Sequence, residues 1–70
     1  MSDSVYKVIQ LVGTSTESWE AAARNAVETA SKSLKNLRIA EVSKLDMKIE
    51  DGKAVAFRAR VQLSFKYDTE

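Results

Sequence analysis

Residues 18–37 read SWEAAARNAVETASKSLKNL, and this stretch decides the fold. Trp19, Ala23, Ala26, Ala30, Leu34 and Leu37 recur at spacings of three and four. That pattern predicts one apolar stripe of an amphipathic helix, with Glu20, Arg24, Glu28, Lys32 and Lys35 turned away. The start is predicted within residues 15–18, where Thr14, Ser15, Thr16 and Ser18 offer side-chain oxygens and Thr14 to Glu17 has capping-box spacing. Lys32 and Lys35 fall in the expected last turn with the sign the helix dipole favours, and Asn36 suits its end. Alanines at positions 21, 22, 23, 26 and 30 make the helix thin, so a sheet can lie close to its backbone.

The strands follow from the remaining chain. Residues 4–12, SVYKVIQLV, are β-branched and aromatic and end at Gly13. Val5, Ile9 and Leu11 share one face, and Tyr6, Val8 and Val12 share the other, so both faces need cover. In residues 38–50 the apolar phase changes from Ala40 and Val42 to Leu45, Met47 and Ile49, which predicts a bulge near Ser43 or Lys44. Ile39 then points outward beside Glu41. Residues 53–67 alternate throughout, with Val55, Phe57, Ala59, Val61, Leu63, Phe65 and Tyr67 inward. A three-residue Glu50-Asp51-Gly52 loop is expected, setting Met47 opposite Val55, Leu45 opposite Phe57 and Ile39 opposite Gln62.

The order β-α-β-β predicts an α+β fold with a three-stranded antiparallel sheet, the last strand in the middle. A strand of about 13 residues spans roughly 43 Å, and a helix of about 19 spans roughly 29 Å. One helix cannot cover such a sheet, so a symmetric homo-oligomer is expected.

Composition narrows the function. Seventy residues make one domain with a marginal core, which also favours oligomerisation. Cys and His are both absent, which removes disulfides, thiolate chemistry, the usual general base and the commonest transition-metal ligand. No enzymatic activity is expected. A net charge of +1 implies no polyelectrolyte partner, and no apolar run or leader pattern appears, so a cytoplasmic protein without membrane or nucleic-acid partners is expected.

Three constellations stand out. Trp19 could stack on a ligand, but its place on the stripe favours packing. Arg58, Arg60, Lys66, Lys44 and Lys48 could form a basic face for phosphates or nucleic acid, yet Glu41, Asp46 and Glu50 alternate with them, which favours cross-strand ion pairs. The carboxylates Glu41, Asp46, Glu50 and Asp51 lack EF-hand spacing, so a divalent-ion site would have to be assembled across subunits.

VYKVIQLVGTST, SWEAAARNAVETASKSL, LRIAEV and FRARVQLSFKY together resemble the dodecins over nearly the whole chain. The resemblance implies a sheet wrapped on its helix and a hollow homododecamer. In flavin-binding members a tryptophan stacks on the flavin and a glutamine bonds its polar edge. Those family positions fall here on Ile39 and Arg58, both substituted, with Gln62 the further candidate on that face. The chain is therefore more similar to the branch that lacks the tryptophan, in which a calcium-associated form is known. Asp46, where flavin binders commonly carry a basic residue, becomes the candidate metal ligand, and calcium the candidate ion.

Overall fold

The computed structural model describes residues 5–66. The elements run β1 (Tyr6–Ser15), α1 (Trp19–Ser31), β2 (Leu37–Glu50) and β3 (Lys53–Lys66). Both outer strands pair antiparallel with β3, giving the sheet order β1-β3-β2 that the sequence predicts. Tyr67, expected on the inner face, lies outside the described residues. Among the described residues no helix is long and apolar enough to cross a membrane.

The helix starts as expected and stops early. Ser18 is its N-cap, with Oγ accepting from Ala21 N at 3.0 Å, and Glu20 places a carboxylate in the first turn. It ends at Ser31 rather than near Leu37, and the Ala30 carbonyl closes the last turn by accepting from Ser33 N and Leu34 N. Ser31 Oγ donates to the Glu28 carbonyl, a local bond that competes with helix continuation. Lys32 and Lys35 therefore lie beyond the last turn. Asn36 does not cap the helix but takes a left-handed φ of 65° at the entry to β2. Leu34 and Leu37 still pack against the core, from the connection and from β2.

The core is small and sits under the helix. Ala22, Ala26 and Ala30 meet Ala59, Val61 and Leu63 of β3, flanked by half-buried Ile9 and Leu11 of β1. The buried stripe thus runs through Ala22 rather than through Ala23, which is half-buried. Full burial of a residue such as Val61 or Leu63 is worth about 1.5–3 kcal/mol, so alanine-to-sheet contact must be close to compensate for the small side chains. Gly13 allows that closeness. It does not end β1, which continues to Ser15; it lies buried beneath α1, where a Cβ would stand 2.0 Å from the Ala22 carbonyl oxygen and 3.0 Å from the Ala26 Cβ. Asn25 Nδ2 adds a tie to the Thr14 carbonyl at 2.9 Å.

The β2–β3 register differs from expectation in its pairs but not in its faces. The loop is the two-residue Asp51-Gly52, with φ of 52° and 75°, as a hairpin turn of type I′ requires. Met47 therefore meets Phe57 and Leu45 meets Ala59, instead of Val55 and Phe57. An extra β3 residue at Val55 absorbs the phase error that a two-residue loop would otherwise cause. The bulge predicted near Ser43 is present between Val42 and Lys44; the shifted register past it sets Ile39 opposite Ser64 rather than Gln62, and a further irregularity at Arg38 sets Leu37 opposite Phe65.

Candidate functional site

Two surfaces are left uncovered. The first is the inner face of the hairpin beyond the helix, here the arm, where Leu45, Met47 and Ile49 are 52%, 45% and 66% exposed. Between the arm and the start of α1 lies a groove of about 550 Å³, lined by Glu17, Ser18, Trp19, Glu20, Leu45 and Phe57. Trp19 closes its base. Its ring meets Phe57 edge-on at 5.0 Å between centroids, and its Nε1 donates to the Asp46 carbonyl at 3.0 Å. The indole therefore packs the helix onto the arm, in keeping with the reading favoured from its place in the sequence.

The second surface is the outer face of the sheet, which the register resolves into rows. Val8, Ser64 and Ile39 make an apolar row; Gln10, Gln62 and Glu41 an amide row; Val12, Arg60 and Lys44 a cationic row; Thr14, Arg58 and Asp46 a paired row. Tyr6, Val8, Val12 and Ile39 are all exposed.

Asp46 and Arg58 are direct cross-strand partners. Arg58 Nε and Nη2 donate to Asp46 Oδ1 and Oδ2 at 2.7 and 2.9 Å, a bidentate fork. These hydrogen bonds hold the Asp46 carboxyl below its usual range; lost hydration opposes the shift, and the charges of Arg58 and Arg60 reinforce it. The pair was not visible in the sequence because the expected three-residue loop slid β2 along β3. The Asp-Gly turn, combined with opposite charges on one face, is the signal that could have found it.

The fit to a flavin and to a cation can be judged on these residues. Ile39 offers no π face, and Arg58 presents only donors, two of them already committed to Asp46. Ile39 and Arg58 together do not reproduce a stacking surface with a donor-and-acceptor edge. For a cation, no three acidic side chains come together among the described residues. Asp46 retains lone pairs beyond those Arg58 uses.

Comparison with known proteins agrees with this architecture. Residues 5–68 match the Dodecin family model. Calcium dodecin of Mycobacterium tuberculosis is 43% identical over 63 residues, covering 90% of this chain and 89% of its own. Dodecin from Streptomyces coelicolor superposes over the whole of both chains with a TM-score of 0.89 at 36% identity. The M. tuberculosis calcium dodecin structure, described as a calcium-chelating immunodominant antigen with a novel calcium-binding site, gives 0.82 at 39% identity over 94% of each chain. By sequence, strand order and superposition alike, the chain belongs to the dodecin family.

Proposed function

We propose that this chain is the subunit of a non-enzymatic, cytoplasmic homododecameric shell that sequesters a small ligand or ion, with calcium as the ion. The observation that carries the assembly is the pair of uncovered apolar surfaces, the arm and the outer row around Ile39, on a chain whose own helix covers only part of the sheet. The calcium reading is supported by the name of the 43% identical relative and by Asp46, a carboxylate with spare lone pairs at the rim of those surfaces. A site is completed only where carboxylates of several subunits meet. Thermal melting with calcium and with chelator tests this reading. Saturating calcium at about 100 times its Kd adds roughly 2.7 kcal/mol, and Asp46→Asn removes that gain. Identical melting curves in both buffers would reject calcium.

A second reading is a purely structural cage. The exposed aliphatic side chain of Ile39, at the family's stacking position, favours it, because such a residue suits a packed interface better than a ring-binding one. In that case flavins and calcium both leave the melting temperature unchanged while the native mass stays that of the shell.

A further inference from the structure

The sheet changes character where β1 stops. The last pair of β1 is Ser15 with Phe57, and past it β2 and β3 run on as a two-stranded ribbon to the Asp51-Gly52 turn. Such a ribbon twists more than a wider sheet, and the extra residue at Val55 adds a local kink. The direction of the arm is therefore set at its root.

The root is the row beside that last pair, Thr14, Arg58 and Asp46, and α1 holds both of its ends. Among the described residues, two side chains of α1 hydrogen-bond the sheet. Asn25 Nδ2 donates to the Thr14 carbonyl on β1 at 2.9 Å, and Trp19 Nε1 donates to the Asp46 carbonyl on β2 at 3.0 Å. The Trp19 ring braces the same place from the inner face, edge-on to Phe57. Across the outer face the Arg58–Asp46 fork joins β3 to β2 within the row. Ser18 caps the helix immediately before Trp19, so the indole projects from a fixed point. Packing at position 19 requires an apolar ring, but it does not require an N–H aimed at a strand carbonyl.

We propose that Trp19 and Asn25 form a clamp on this row that sets the direction of the arm, and that this direction determines whether the assembly closes. The proposal rests on the homo-oligomer reading above and assigns named residues to the control of closure. Both are positioning residues, acting through the strands they hold. The arm from Asp46 to its tip at Asp51 is about 17 Å of strand, so an error of about 10° at the root displaces the tip by roughly 3 Å. Interfaces packed as densely as a protein interior do not absorb a shift of that size. A repeated contact that misses its closing angle builds open or mixed-size chains instead of one closed shell.

The test uses the full-length protein in calcium-free buffer, read by native mass over a dilution series and by far-ultraviolet circular dichroism. Trp19→Phe keeps a ring against Phe57 and removes the N–H donor; Asn25→Ala removes the donor at the other end of the row. The expected result for each is unchanged helix and sheet content with several masses in place of one. The concentration at which half the subunits are assembled should rise roughly fivefold, as fits one neutral hydrogen bond lost per subunit. Leu63→Ala, weakened in the core but with the clamp intact, should keep the single mass. A single mass with an unshifted midpoint in Trp19→Phe overturns the proposal even where its melting temperature falls, because the indole then only packs. Equal scatter of masses in Leu63→Ala also overturns it, by assigning the effect to lost stability. Should Trp19→Phe fail to fold, Asn25→Ala decides: several masses support the clamp, and one unshifted mass overturns it. A monomeric unmodified protein removes the assembly reading beneath the proposal, whereas an unmodified protein and variants that all close alike remove the clamp alone.

Discussion

The helix-covered part of the sheet and the hairpin arm share one pattern, alternating apolar and polar residues along β2 and β3, yet they end in opposite environments. Under α1, Ala59, Val61 and Leu63 are at most 1% exposed. On the arm, Leu45, Met47 and Ile49 continue the same inward phase and remain open. Alternation thus encodes which side chains need covering, and it is silent about whether the cover comes from the same chain. The comparison teaches that this subunit is half a core and half an interface, with Trp19 as the joint between them.

The largest expected effect lies on the covered side. Gly13→Val puts a branched side chain where even a Cβ would strike the Ala22 carbonyl oxygen, so cooperative folding should be lost, as near-ultraviolet circular dichroism would register. A folded Gly13→Val with an unchanged melting temperature would mean that α1 does not sit on β1 as described.

A matched pair of variants sharpens the contrast directly. Leu63→Ala should cost about 2–5 kcal/mol of unfolding free energy and affect the subunit wherever it is found. Leu45→Ser with Met47→Ser should leave the helix and sheet content in place while lowering the assembly size. If the arm variant unfolds as readily as Leu63→Ala without passing through a smaller folded species, the distinction between core and interface fails.

Smaller effects belong to the outer face. Riboflavin fluorescence should stay unquenched on titration with the unmodified protein, and Ile39→Trp with Arg58→Gln should gain about 0.5–1.5 kcal/mol from stacking. Strong quenching by the unmodified chain would show that another side chain provides the stacking surface. The smallest effect is electrostatic. Because Arg58 depresses the native pKa of Asp46, the pair contributes stability at neutral pH that is lost as the pH falls below the ordinary carboxylate range and through that depressed value. Asp46→Asn should flatten this acid limb slightly, and an unchanged limb would leave the fork without a thermodynamic role.

The strands, the Ser43 bulge and the inward faces were legible because each depends on side-chain period, and the strand order because the β-α-β-β connectivity favours it. The length of α1 was not, since Leu34 and Leu37 continue the helical spacing while reaching the core from outside the helix. Register failed for a related reason. The extra residue at Val55 leaves no trace in the alternation of β3, so a three-residue loop looked necessary where an Asp-Gly turn of two residues suffices. That error hid the Asp46–Arg58 fork. Gly13 was read as a strand terminator because close approach of a helix is a tertiary fact. Ile39 was legible as an outward apolar residue and is 59% exposed there, though opposite Ser64.

Native mass of the unmodified protein at micromolar concentration tests the central claim, that the arm and outer face are closed by other copies of this chain. The account predicts a single closed species of roughly twelve subunits, each of 7.8 kDa, persisting on dilution with and without calcium. A stable, folded monomer or dimer with the arm still exposed would contradict it.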